Sequence, residues 1–151
     1  MEQMMELRKI IAIASDHAGF AMKEKIESFL QGENYDVLDV GCHGIESCDY
    51  ADYGHHLAEA VKSGRAHCAI ALCGSGLGIS MTLNRHTNVR AALCHNEETA
   101  RLSRQHNDAN VLVMGARMLE EKMIFDCIKI FLDTEFEGGR HLDRIKKIEI
   151  M

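Results

Sequence analysis

A cysteine followed directly by closely spaced glycines has the clearest chemical potential in this sequence. Cys73 ends an apolar run, and Gly74, Gly76 and Gly78 follow it within five residues. Glycines let the backbone approach a ligand closely, and the start of a following helix offers unpaired N–H donors. The loop therefore predicts an anion site that stabilises an oxyanion and favours a thiolate. The alternative is a buried thiol beside a structural turn.

Spacing excludes three familiar glycine-loop chemistries. A dinucleotide fingerprint that starts at Gly74 would need glycine at position 79, and a cysteine phosphatase loop would need arginine there, but the residue is Ile79. A P-loop would need a lysine, and none lies between Arg65 and Lys122. The histidines lack ligand spacing relative to the cysteines, so we predict no metal site.

Three further polar clusters could act on a sugar or a phosphate. Asp16 and His17 follow the first apolar run, where a carboxylate beside an imidazole can move protons on a polyol. Asp16 could equally cap the helix that follows. The polar run 103–108 could serve catalysis or be an ordinary loop. Arg140 and Arg144, four residues apart, could share a helix face and bind a phosphate, or be solvated.

Apolar runs alternate with helical stripes along the chain and must position these groups. The predicted strands are 9–14, 37–40, 68–73, 89–94 and 111–114, and the predicted helices are 20–30, 53–63, 79–84, 97–105, 119–134 and 141–150. Strands that are apolar throughout suit a sheet buried on both faces. The alternation predicts an α/β fold, a three-layer αβα sandwich with a Rossmann-like five-stranded parallel sheet. Ligands bind beyond the carboxyl ends of such strands, which selects the loops 15–19, 73–78 and 115–117.

Composition limits the number of domains and the partners. The 151 residues, 46% of them hydrophobic, predict one domain over 1–151. A net charge of −6 and 5% aromatic residues disfavour nucleic acid and anionic membranes as partners. No apolar run approaches the ~18 residues of a membrane span, and we expect no secretory signal. Three of the six cysteines lie in or at the end of strand-like runs, so we expect free thiols and a cytoplasmic location.

Eight short motifs follow one another along residues 8–150. They are Asp16-His17-Ala18-Gly19, Asp49-Tyr50, the run 73–80, Asn84-Arg85, the run 103–108, Asn110-Val111-Leu112, Gly115-Ala116-Arg117 and the run 137–141. In this combination and order they resemble the B-type ribose-5-phosphate isomerases, a family that also includes galactose-6-phosphate isomerase subunits and allose-6-phosphate isomerases. Two positions depart from the family pattern. Ala51 stands where members often have proline, and Ile79 stands where one branch has a glutamate in place of the cysteine base.

The resemblance implies interconversion of D-ribose 5-phosphate and D-ribulose 5-phosphate through a cis-enediolate, in the non-oxidative pentose phosphate pathway. It implies that Cys73 is the base that moves a proton between C2 and C1, and that His106, with Asp16 nearby, opens the furanose ring. The implied substrate-binding residues are Tyr50, Gly74, Ser75, Gly76, Leu77, Gly78 and Asn107 for the sugar and the intermediate, and His17, Arg117, Arg140 and Arg144 for the phosphate. The family needs no metal and no organic cofactor.

Isomerisation of a sugar phosphate requires residues of these types, and two alternative functions remain open. Aldose–ketose isomerisation requires a base, an oxyanion site and an acid–base group for ring opening. The first alternative is isomerisation of a six-carbon sugar phosphate, allose or galactose 6-phosphate. The second is a flavodoxin-like nucleotide- or phosphate-binding module without turnover, against which the missing dinucleotide and P-loop spacings argue.

Topology also predicts an assembly. Cys73, Asp16 and His17 follow strands, whereas His106 and Asn107 precede the fifth strand and so lie towards the opposite side of the sheet. A strand of five or six residues spans roughly 17–20 Å, too far for both groups to reach one sugar. We therefore expect a homodimer, or a tetramer, in which sites are shared between subunits. The alternative is that the loop 103–108 folds back over its own sheet.

Overall fold

Five parallel strands form one sheet at the centre of the protein, whose computed structural model describes residues 7–150. The strands are β1 (Ile10–Ser15), β2 (Asp36–Asp39), β3 (Cys68–Cys73), β4 (Ala91–Leu93) and β5 (Val111–Gly115). The helices are α1 (Phe20–Gly32), α2 (Tyr50–Lys62), α3 (Leu77–Leu83), α4 (Glu97–Gln105), α5 (Glu121–Asp133) and α6 (Arg140–Lys146). The order of the strands is β2-β1-β3-β5-β4, which confirms the predicted fold class.

The register of the central strands brings three loops together. Ser15 pairs with Leu72 between β1 and β3, and Cys73 pairs with Gly115 between β3 and β5. The ends of β1, β3 and β5 therefore meet on one side of the sheet, which we call the carboxyl edge. The opposite side is the amino edge. From β1 the chain moves to β2 on one side, and it then crosses to β3 on the other side, so β1 and β3 flank the switch point at which such sheets bind ligands.

Alternating side chains of the strands fill two cores, one on each face of the sheet. The first core packs large strand residues against α1, α4 and α5, and includes Ile11, Ile13, Ile70, Leu72, Leu112, Met114, Ile26, Leu30, Ile124, Ile128 and Phe131. The second packs small strand residues against α2 and α3, and includes Ala12, Ala14, Ala69, Ala71, Val111, Val113, Leu57, Ala58, Ile79 and Leu83. Alanines on this face let the two helices lie close to the sheet, which brings the start of α2 beside the start of α3.

Several element boundaries differ from the sequence predictions. Helix α2 begins at Tyr50 rather than at 53, and β4 is limited to Ala91–Leu93. The side chain of Asn84 accepts from the N–H of Ala91 at 2.8 Å and donates to its C=O at 2.9 Å, so a side chain occupies these two backbone groups. None of the helices that the structure describes has both the length and the apolar character needed to cross a membrane.

Candidate active site

The loop after β3 folds tightly around the Cys73 sulfur. The N–H of Gly76 donates to Cys73 Sγ at 3.2 Å. Gly76 has a positive φ of 81°, and a Cβ there would lie 2.6 Å from Leu93 Cδ1, so only glycine fits. An amide donor aimed at sulfur stabilises negative charge on it. Cys73 is only 4% exposed, so only a small molecule that enters the loop can reach its sulfur.

A second loop, after β5, is hydrogen-bonded to the glycine loop. The N–H groups of Ala116 and Arg117 donate to the carbonyls of Cys73 and Gly74 at 2.9 and 3.0 Å. A Cβ on Gly115 would lie 2.6 Å from the carbonyl oxygen of Ser75, so this close approach requires glycine. The exposed Arg117 side chain lies beside Gly74, where it can meet an anion held by the loop.

Tyr50 lies beside the glycine loop. It is the first residue of α2, and its ring lies against Gly78, where any Cβ would overlap the ring atoms. The ring is 43% exposed. The third glycine of the loop therefore makes room for an aromatic wall, a role that spacing alone did not indicate.

Asp16 caps a short 3₁₀ turn, His17–Gly19, that leads into α1, whereas the N-cap of α1 itself is Gly19. Its Oδ1 accepts from the N–H groups of Ala18 and Gly19 at 3.0 and 3.2 Å. His17 lies next to it and accepts from the N–H of Cys48 through Nδ1, at 3.2 Å. Because Nδ1 is an acceptor, the neutral ring carries its proton on Nε2. His17 is thereby fixed as a donor, as a phosphate ligand requires.

Residues 40–48, which join the end of the predicted second strand to a polar loop without a predicted role, belong to the carboxyl edge as well. The N–H of Ser15 donates to Gly41 O and the N–H of Cys42 donates to Ser15 O, both at 2.8 Å. Asp39 accepts from the N–H of Gly41 and from the fully buried ammonium of Lys23. The signal that could have revealed this loop is its place after β2, the neighbour of β1.

A histidine cluster lies at the amino edge. His106 follows the last residue of α4, and its ring stacks on His141 of α6 with centroids 4.4 Å apart and an interplanar angle of 13°. Glu137 Oε2 lies 3.6 Å from His141 Nε2 and 4.0 Å from His106 Nε2. Burial lowers the pKa of His141, and the charges of His106 and Arg140 lower it further, against the opposing effect of Glu137. The Glu137 carboxylate thus lies within ion-pair distance of both imidazole rings.

The remaining predicted residues also lie at the amino edge. Arg140 and Arg144 are exposed on α6, one turn apart, and neither forms a salt bridge within residues 7–150. Asn107 is exposed, and its carbonyl accepts from Arg90 Nε at 3.2 Å. Arg104, in the same polar run, is structural, since it donates to Asp108 and to the carbonyls of Ala109 and Thr134.

Two side-chain groups have spacings that a metal ion could use. Ligand atoms of His106, Glu137 and His141 lie within 4.8 Å of one another. The two imidazole planes are nearly parallel, however, so an ion in the plane of one ring, at the ~2.0–2.1 Å of a metal–nitrogen bond, lies outside the plane of the other. The second group, Glu24, Glu27 and Asp39, already holds the Lys23 ammonium. The first arrangement suits proton exchange better than metal binding.

The structure therefore sorts the predicted site residues into two sets. The set at the carboxyl edge is Asp16, His17, Tyr50, Cys73, Gly74, Ser75, Gly76, Leu77, Gly78 and Arg117. The set at the amino edge is His106, Asn107, Arg140 and Arg144. The five residues of β5 separate Gly115, the partner of Cys73, from the polar run, a span of about 17 Å.

Fold and loop together define an α/β protein in which a glycine loop surrounds a buried thiol at the carboxyl edge of the sheet. A family model described as Ribose/Galactose Isomerase matches residues 11–148. Ribose-5-phosphate isomerase B of Escherichia coli is 38% identical over 140 residues, covering 93% of this chain and 94% of that protein. Ribose-5-phosphate isomerase B of Clostridium thermocellum superposes with a TM-score of 0.91 at 47% sequence identity, and the match covers 92% of this chain and 94% of that one. A ribose 5-phosphate isomerase from Thermotoga maritima superposes with a TM-score of 0.92 at 45% sequence identity, and the match covers 94% of this chain and 98% of that one.

The chain belongs to the ribose/galactose isomerase family, and it is an isomerase. This confirms the family to which the motifs of the sequence pointed.

Proposed function

We propose that this isomerase interconverts D-ribose 5-phosphate and D-ribulose 5-phosphate, a step of the non-oxidative pentose phosphate pathway. The observation that carries the proposal is the 3.2 Å contact from the Gly76 N–H to Cys73 Sγ, which holds a base-forming thiol inside an amide-lined loop. The similarity to two ribose-5-phosphate isomerase B structures over more than 90% of each chain supports the same substrate. The six free thiols suit a reducing compartment, and we place the protein in the cytoplasm.

Cys73 is the base of the isomerisation. Its thiolate removes the proton from C2 of the open-chain aldose and returns it to C1, so the proton that leaves one carbon arrives at the other. The negative charge that develops on the enediolate oxygens meets the backbone N–H groups of Gly74 to Gly78, with Ser75 and Leu77 among them. The residue after the loop is Ile79, whose aliphatic side chain cannot accept a proton, so Cys73 is the base.

His106 opens the ring before isomerisation begins. It transfers a proton between the anomeric hydroxyl and the ring oxygen, which requires an imidazole that both accepts and donates. Glu137 lies within ion-pair distance and stabilises the protonated ring. Asn107 holds the intermediate beside it, and Asp16 assists from the other side of the substrate.

The phosphate is bound by His17, Arg117, Arg140 and Arg144. Because these residues come from both edges of the sheet, one subunit supplies the carboxyl-edge set and its partner supplies the amino-edge set. A homodimer, alone or within a tetramer, then contains two equivalent sites. The binding energy of the remote phosphate fixes C1 and C2 against the base.

A coupled isomerase assay tests this function. Purified protein is given ribose 5-phosphate, allose 6-phosphate or galactose 6-phosphate at matched concentrations, and kcat/KM is compared. The proposal predicts the highest kcat/KM with ribose 5-phosphate and little turnover of free ribose, which lacks the phosphate. A preference for either six-carbon substrate would assign the enzyme to that sugar instead.

A further inference from the structure

The loop after β2 carries a pair of thiols that isomerisation does not use. Cys42 and Cys48 are separated by five residues. The Cys42 thiol donates to Gly44 O at 3.3 Å and lies 4.0 Å from Ser15 Oγ, and the Cys48 thiol lies 4.0 Å from Nδ1 of His17, two residues further along the same loop. Both thiols therefore lie beside the loop after β1 and line one surface pocket, in which rotation of the side chains can bring the two sulfurs together.

The surroundings of this pair admit a small reagent. Residues 42–48 and Tyr53 line a surface pocket of about 500 Å³. Cys48 is half-buried, whereas Cys42 is buried, so an incoming reagent meets Cys48 first. His17 Nδ1 lies 4.0 Å from Cys48 Sγ and is a nearby acceptor for the thiol proton. Burial raises the pKa of the Cys48 thiol, and the neighbouring Cys42 thiol raises it further, so the reaction accelerates as the pH rises.

We propose that Cys42 and Cys48 are an oxidative modification site, at which a small-molecule disulfide converts the two thiols into an intramolecular disulfide. The Cys48 thiolate attacks one sulfur of the reagent RSSR, which breaks its S–S bond and releases one RS⁻. The Cys42 thiolate then attacks the Cys48 sulfur, forms the internal bond and releases the second RS⁻. Two protein thiols are oxidised, RSSR is reduced to two RSH, and the two protein protons end on the released thiols.

The modification reaches the phosphate end of the site through one hydrogen bond. The N–H of Cys48 fixes His17 by donating to its Nδ1 at 3.2 Å. When Cys48 Sγ is drawn onto Cys42, the backbone of Cys48 turns with it and this donor leaves its place. This consequence rests on the proposed function, in which His17 binds the phosphate, and it predicts a raised KM for ribose 5-phosphate with a smaller change in kcat.

Peptide mass spectrometry tests the disulfide without reference to activity. Trypsin releases 26–62 as one peptide that holds Cys42 and Cys48 and no other cysteine, while Cys73 falls in 66–85. The native protein is treated with bis(2-hydroxyethyl) disulfide, and the remaining thiols are alkylated after unfolding. The proposal predicts a peptide 26–62 that is lighter by two hydrogens and carries no alkyl group. A peptide alkylated at both cysteines, or one that retains a mixed disulfide at Cys48, would overturn it.

Two variants serve as controls, and kinetics tests the link to His17. Cys42→Ser should retain the mixed disulfide at Cys48, because the resolving thiol is gone, and Cys68→Ser should form the internal disulfide as the wild type does. After identical treatment, KM should rise in the wild type relative to Cys42→Ser, since any reaction at Cys73 is common to both. An equal KM would refute the link to His17. The mass measurement does not depend on the substrate, so it tests the disulfide even if the protein isomerises another sugar.

Discussion

The two edges of the sheet hold their chemical groups by different means. At the carboxyl edge, Cys73 and Asp16 are buried, and backbone N–H groups fix both of them. At the amino edge, His106 is 41% exposed in its side chain and is held by one stacked ring and one carboxylate. A buried backbone cradle is rigid by itself, whereas a half-exposed imidazole gains rigidity when another surface covers it. In the dimer proposed above, the partner subunit supplies that covering surface at the amino edge.

The largest expected effect comes from removing the base at the carboxyl edge. Cys73→Ser should lower kcat about 10³-fold or more, because a hydroxyl is a far weaker base at neutral pH, and should leave KM and the melting temperature nearly unchanged. Cys68→Ser, at the other end of the same strand, is the matched control and should retain its activity. Turnover by Cys73→Ser within a few-fold of the wild type would remove the thiol from the mechanism.

Mixing defective subunits tests whether the two edges that form one site belong to different chains. Cys73→Ser and His106→Ala are each expected to be nearly inactive. After subunit exchange in equal amounts, half of the dimers are mixed and each has one intact site, so roughly a quarter of wild-type activity should return. A mixture of Cys73→Ser with Cys73→Ala, two defects at the same edge, should recover nothing. No recovery in the first mixture despite proven exchange would place the whole site in one chain.

A smaller effect is expected from the arginines of α6. Arg140→Ala or Arg144→Ala should raise KM for ribose 5-phosphate roughly 10-fold or more and lower kcat less, because each removes a charge-assisted contact to the phosphate. Lys146→Ala, an exposed cation on the same helix, is the control for a general change in charge. If both arginine variants handle the substrate normally, these side chains are ordinary solvated charges.

The smallest effect concerns stability at the amino edge. The pKa of His141 is lowered in the folded protein, mainly by burial, so the unfolded chain binds its proton more readily. His141 therefore contributes stability that is present above its unfolded pKa of about 6.5 and is lost as the pH falls below that value. Melting temperatures at pH 7.5 and 5.5 should differ less in His141→Asn than in the wild type. An equal difference in both proteins would mean that other groups dominate the acid destabilisation.

Sequence reasoning was most successful where the physical cause is local. Uninterrupted apolar runs fix the strands β1 and β3, and the glycines after Cys73 specify a tight loop because few residues adopt a positive φ. The roles of His141 and Glu137 were missed, since stacking on His106 depends on how α6 packs against the end of α4. The loop 40–48 was missed for the same reason, because its contacts to Ser15 and His17 join distant parts of the chain.

The bonds from Asn84 to Ala91 give one of the family-like motifs a purpose outside catalysis. β4 is the outermost strand beside β5, and its inner groups pair with Val111, so the N–H and C=O of Ala91 face outward. Left free, such groups form a template on which the strand of another molecule can add. The Asn84 amide bonds both the N–H and the C=O of Ala91, so these two groups are not available to the strand of another molecule. This point of the sheet edge is thereby closed to strand addition.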